Sequence, residues 1–89
     1  MLEINYSKSF KKDFKKLSEN DREDTLEVLY KLSRGEKLDP KYKDHALKGE
    51  YSKYRDCHIR PDLVLIYEKR EDLLILKALR IGKHSEVFK

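Results

Sequence analysis

The stretch Leu63-Val64-Leu65-Ile66-Tyr67 is apolar at every position. A strand with one solvated face alternates apolar and polar residues, so an unbroken run of this length between two turn signals reads as a strand buried on both faces. Such a strand must lie at the centre of a sheet, with neighbours on each side and helices over at least one face. The chain has 89 residues, of which 38% are hydrophobic and 43% charged. That supplies one small core and a surface crowded with charge, so a single domain over residues 1–89 is expected.

The neighbours of the central strand are legible around it. Tyr51 to Ile59 predicts one strand, Leu63 to Lys69 the next and Leu73 to Ile81 the third, with turns at Arg60-Pro61-Asp62 and Arg70-Glu71-Asp72. At the other end Leu2, Ile4 and Tyr6 alternate with polar residues, which predicts a first strand. Ser7 or Ser9 then caps a helix whose face is Phe10, Phe14 and Leu17, with Lys8, Lys11, Lys12, Lys15 and Lys16 over the remaining surface. A second helix is predicted to start near Asn20, which has capping-box spacing to Glu23. It carries Leu26, Leu29 and Leu32 in a stripe beside Val28 and Tyr30, and it stops at Gly35. The two helices form an αα-hairpin, and residues 36–49 read as a loop. The predicted class is α+β: an N-terminal strand and a two-helix hairpin packed on a small, mostly antiparallel sheet.

The same residues exclude several classes. No apolar run approaches the ~18–20 residues of a membrane span. The opening Met1-Leu2-Glu3-Ile4-Asn5-Tyr6 lacks the basic-then-apolar pattern of a secretory signal. A lone cysteine, Cys57, has no intrachain partner and fits a reducing, cytoplasmic setting; the strand alternation favours its burial over reactivity. No pair of histidines has short metal-ligand spacing, and Cys57 beside His58 in a strand points the other way, so a zinc site from His45, His58 and His84 is not expected. The net charge is +4, and the half from residue 45 onward holds 10 basic and 7 acidic residues. The excess favours an anionic partner.

The strand layout places chemistry at one end of the sheet. The strand carrying His58 runs toward the Pro61 turn, the next leaves from Asp62, and the last returns to end at Arg80. With a three-residue turn His58 stands opposite Asp62; with the second turn centred on Glu71, Asp62 stands opposite Arg80. A slip of one residue moves His58 to the other face. His84 follows just past the last strand. Imidazoles suit proton transfer near neutrality, and an arginine suits a phosphate. Such a set fits cleavage of RNA without a metal, in which one group deprotonates the 2′-OH, another protonates the leaving 5′-oxygen and a cation offsets charge on the phosphate. Taken singly, Asp62 and Arg80 also read as a plain cross-strand pair, and His58 as a strand-surface histidine. The lysine face of the first helix reads either as a solvated surface or as a grip on rRNA phosphates. Tyr51 and Tyr54 read either as sheet-edge packing or as base-stacking groups.

Four segments in series then carry a resemblance: Tyr42-Lys43-Asp44-His45-Ala46-Leu47-Lys48-Gly49; Tyr54-Arg55-Asp56-Cys57-His58-Ile59-Arg60-Pro61-Asp62; Leu65-Ile66-Tyr67; and Leu79-Arg80-Ile81-Gly82-Lys83-His84-Ser85-Glu86-Val87-Phe88. In type and spacing they resemble the YafQ branch of the RelE/ParE toxin superfamily over nearly the whole chain. The resemblance implies a RelE-like fold and the toxin of a type II toxin–antitoxin pair, an mRNA interferase that cuts mRNA in the A site of the 70S ribosome. It implies a cognate antitoxin as partner and no small-molecule cofactor. By motif position it implies His84 as general acid, Asp62 or His58 as base or orienter, Arg80 on the scissile phosphate and His45 in proton transfer or RNA positioning. Phe88, Lys43, Lys83 and Arg60 are the implied RNA-binding residues. Leu63 follows Asp62 where the best-known member has Trp, which removes one stacking surface. The same superfamily also holds ParE-like toxins that bind DNA gyrase without cutting RNA. Such a protein does not need His45, His58, His84 and Phe88, and this chain has all four.

Overall fold

Ser7 ends the first strand and begins the first helix in one step. Its extended backbone closes the strand, while its hydroxyl accepts from the Phe10 N–H at 2.9 Å and donates to the Leu79 carbonyl at 2.8 Å. The computed structural model describes residues 1–88. In chain order it contains β1 (Glu3–Tyr6), α1 (Lys8–Lys15), α2 (Glu19–Ser33), β2 (His45–Ala46), β3 (Arg55–Arg60), β4 (Leu63–Arg70), β5 (Ile75–Gly82) and α3 (His84–Val87). Single 3-10 turns lie at Pro40–Tyr42 and Gly49–Tyr51.

The strands form one sheet in the order β1-β5-β4-β3-β2, with β1 parallel to β5 and every other pairing antiparallel. The expected α+β class holds, and the apolar run is the central strand, its residues Val64, Leu65 and Tyr67 fully buried. On one face α1 and α2 cover it. Phe10, Val28, Leu29 and Leu32 pack there against Cys57, Ile59, Leu63, Leu65, Tyr67, Leu76, Ala78 and Ile81. On the other face Val64 and Ile66 are covered by Val87 of α3, with Tyr54 and Leu79 beside them. The sequence reading placed helices on one face and assigned nothing to the second; a single turn of helix at the end of the chain fills that role.

Several boundaries differ from expectation for local physical reasons. α2 is capped by Ser18, whose hydroxyl accepts from the Asp21 N–H at 3.2 Å, so the helix begins before Asn20. Gly35 does end it, in the left-handed region at φ 77° that glycine enters without strain. Tyr51 belongs to a 3-10 turn rather than to a strand, and the strand after it starts only at Arg55. The segment read as a loop contributes the edge strand β2, paired with β3 through His45 opposite Asp56. It is also pinned to the core: Asp44 accepts from the buried Tyr67 hydroxyl at 2.5 Å and from Arg55 at 3.3 Å. The last strand starts at Ile75, because Leu74 takes a left-handed φ of 55° in the turn before it.

Candidate functional site

The register of the central pairings decides which side chains meet. His58 stands opposite Val64, and a bulge then brings Arg60 opposite Leu63. Asp62 therefore sits in the turn, exposed, and not opposite His58 as the three-residue turn required. On the far side a second bulge between Ala78 and Arg80 pairs Arg80 with Ile66, so Asp62 is not opposite Arg80 either. Both expected cross-strand pairs are corrected by these irregularities, which shift the face a side chain occupies without leaving a trace in hydrophobic pattern.

What replaces them is a cluster on the face away from α1 and α2. Asp56 and His58 alternate with the core residues Cys57 and Ile59, so both point to that open face. His45 is the cross-strand neighbour of Asp56, with its Nδ1 3.1 Å from Asp56 Oδ1. His84 enters from α3. The Asp56 carboxyl is buried, its side chain 5% exposed, and burial raises its pKa above the usual carboxylate range. The positive forms of His45, His58 and His84 all act against that rise, in that order of strength. Asp56 is thus the electrostatic hub of the three imidazoles. Its role was missed: it lies in the quoted Tyr54-Arg55-Asp56 segment, and the strand alternation that exposes His58 on one face puts Asp56 beside it.

The His45 ring is held by a backbone acceptor. Its Nδ1 lies 2.7 Å from the Lys43 carbonyl, which can only accept, so Nδ1 carries the hydrogen. No hydrogen bond is left for Asp56 Oδ1, the one buried side-chain oxygen without a partner among the described residues. His58 Nδ1 makes a longer contact, 3.4 Å, to the Pro61 carbonyl. His84 is exposed and lies against Phe88, with ring centroids 4.5 Å apart.

Arg80 and Asp62 line a neighbouring cleft of about 470 Å³ together with Asp13, Lys16, Lys83 and Glu86. Arg80 also lines a second cleft, on the open face, with Leu47, Tyr51, Tyr54, Leu79 and Phe88. There the Tyr51 and Tyr54 rings stack on each other at 6.4 Å. Its guanidinium is bound on one side by Asp13 of α1, through Nε to Oδ2 at 2.7 Å and Nη2 to Oδ1 at 3.2 Å. Of the remaining expected residues, Lys43 lies in a cleft with His58, and Lys83 lies with Arg80 and Asp62. Arg60 differs: its guanidinium is shared between Asp21 and Asp24 of α2, so its charge is already met. Cys57 is fully buried, and burial pushes its thiol pKa up, as expected of a packing residue. No helix among the described residues is long and apolar enough to cross a membrane.

Comparison with known proteins places the chain in a family. The family model described as the bacterial toxin of type II toxin–antitoxin system, YafQ, matches residues 2–89. The mRNA interferase toxin YafQ of Escherichia coli strain K12 is 34% identical over 90 residues, covering 97% of this chain and 95% of that protein. A metal-bound toxin from Helicobacter pylori has a TM-score of 0.90 at 43% identity, over 99% of this chain and all of that one. The Escherichia coli DinJ–YafQ toxin–antitoxin complex contains a chain with a TM-score of 0.84 at 31% identity, over 99% of this chain and 98% of that one. The match over residues 2–89 shows that this chain belongs to the YafQ family of type II toxin–antitoxin toxins.

Proposed function

We propose that this protein acts as a ribosome-dependent mRNA interferase whose proton transfers run through His84, His58 and His45. Relatives that match nearly the whole chain carry the name mRNA interferase toxin, and this chain is accordingly an endoribonuclease toxin with a cognate antitoxin. The observation that carries the residue assignment is His45 Nδ1 at 3.1 Å from the buried Asp56 carboxylate, with His58 on the same open face of the sheet and Arg80 on a cleft edge.

In this reading the scissile phosphate lies against Arg80. His58 takes the proton of the ribose 2′-OH, the 2′-oxygen bonds to phosphorus, and the bond to the 5′-oxygen breaks. His84 donates the proton that the leaving oxygen needs. His45, fixed by the Lys43 carbonyl beside Asp56, assists proton transfer or positions the RNA, and Asp62 orients the strand from the turn. Phe88, whose ring lies tilted against His84, supplies a ring for a neighbouring base, and Lys43 and Lys83 meet flanking phosphates. The Helicobacter pylori relative is metal-bound, and among the described residues of this chain no group of three His, Cys, Asp or Glu side chains is placed to hold an ion.

The test is purified protein added to translating ribosomes, with mRNA ends mapped, against the same mRNA without ribosomes. Cleavage confined to the ribosome-bound message is expected. Equal cutting of naked mRNA would overturn the dependence on the ribosome. Supercoiling defects with intact mRNA would instead support gyrase as the target.

A further inference from the structure

Arg80 has five N–H donors in a planar fork, and Asp13 takes two of them from one edge, Nε and Nη2. The opposite edge, formed by Nη1 and the second Nη2 hydrogen, is left for another bidentate acceptor. Asp13 is itself fixed. It sits in the last turn of α1 with its side chain 14% exposed, and its Oδ2 also accepts from the Ile81 N–H at 3.1 Å. That bond exists because β1 stops at Tyr6, opposite Ala78, so the rest of the β5 edge has no strand beside it. Ser7 covers Ala78 and Leu79 there, and Asp13 covers Ile81.

We infer that Asp13 is a positioning residue for RNA cleavage: it clamps the Nε edge of Arg80 to the sheet and turns the Nη1 edge toward the scissile phosphate. This rests on the reading of Arg80 as the phosphate ligand. The bulge at Leu79 makes the clamp necessary. It leaves Arg80 paired with Ile66 at the border of two clefts, and an unheld guanidinium can swing into either one. Orientation comes at a cost in charge, since the Asp13 carboxylate offsets the cation that attracts RNA. Lys16 and Lys83 on the same cleft return positive charge to it. Asp13 therefore acts on the rate of the bound complex and works slightly against its formation, a signature that loss of folding does not share.

The experiment measures kcat and KM for mRNA cleavage on programmed ribosomes for wild type, Asp13→Asn, Arg80→Ala and the double variant. Asp13→Asn keeps an oxygen for Ile81 but breaks the two-bond clamp. We expect kcat to fall about 10- to 100-fold, in line with the cost of a small misplacement at a reacting centre, with KM unchanged or lower. In the Arg80→Ala background the same substitution should change nothing further. Wild-type kcat in Asp13→Asn with an inactive Arg80→Ala overturns the clamp alone. Full activity of Arg80→Ala overturns the phosphate reading beneath it. An undiminished effect of Asp13→Asn in the double variant also overturns the clamp. If no Asp13 variant folds, the Arg80 Nε–H of the wild-type protein still decides by NMR. Slow exchange, held on titration with inorganic phosphate while the Nη signals shift, supports the clamp; fast exchange overturns it.

Discussion

The two faces of the sheet are built from the same strands and are opposite in kind. Toward α1 and α2, every strand residue that packs is apolar, down to the buried thiol of Cys57. On the open face, one apolar pair, Val64 and Ile66, lies under Val87, and the positions around it are Asp56, His58, His45 and His84. The first face gains stability from area removed from water, and its titratable groups, the Cys57 thiol and the Tyr67 hydroxyl, are kept in their neutral forms by burial. The second holds a carboxyl at a cost, with one oxygen unpaired, so that three histidines share an electrostatic centre. Stability and reactivity are thus divided by the alternation of a strand, two residues in and two residues out.

Substitutions on the two faces test that division. The largest effect is expected from His84→Ala: cleavage on programmed ribosomes should fall about 10²- to 10⁴-fold, the usual worth of a positioned acid or base. Its melting temperature should stay within a degree or two of wild type, because His84 is exposed. Near-wild-type cutting would remove it from the mechanism. On the other face Leu29→Ala, at a fully buried position, should cost about 2–5 kcal/mol in urea unfolding. Its per-molecule activity should persist in whatever fraction stays folded.

A smaller effect separates the faces by pH. Burial raises the Asp56 pKa in the folded state above its unfolded value. Its contribution to stability is therefore fully present below the ordinary carboxylate range and is lost as pH rises through the folded value. Asp56→Asn removes that loss. The variant should be more stable than wild type at neutral pH, because it buries no charge there. The gap should close as pH falls below the carboxylate range, while cleavage at neutral pH weakens. A variant less stable than wild type at pH 7 would mean that Asp56 holds the open face together.

The face toward the helices was legible in the sequence, because periodicity reports burial. Phe10, Leu29 and Leu32 on helix stripes and the run from Leu63 to Tyr67 all landed in the core. The resemblance pointed to His45, His58, His84 and Arg80, and the fold sets His45 beside the buried Asp56 carboxyl with His58 on the same sheet face. Two things were not legible. The bulges at His58–Arg60 and at Ala78–Arg80 move Asp62 and Arg80 out of the pairing that a regular ladder predicts. The Asp13–Arg80 contact joins residues 67 apart in sequence, and nothing in a local pattern of charges marks it. Arg60 shows the converse, a cation on the motif that pairs with two α2 carboxylates whose sequence position suits only the start of that helix.

The parallel pairing of β1 with β5 bears on the order in which the molecule assembles. β3, β4 and β5 follow one another through short turns, so their ladders close small loops. β1, the earliest strand in the chain, has no partner until β5 exists, and Ser7 reaches Leu79 across 72 residues. Closing that loop is the step with the largest entropic demand, which places it late in folding. The bonds that fix Arg80 belong to the same closure, since Asp13 arrives with α1. A chain whose meander has formed but whose first strand is still undocked has its histidines near one another and its arginine loose. Kinetic analysis should find Ile4→Ala acting mainly on the unfolding rate and Leu65→Ala on both rates. The toxin would then become competent only as its two ends are joined, at the last stage of becoming folded.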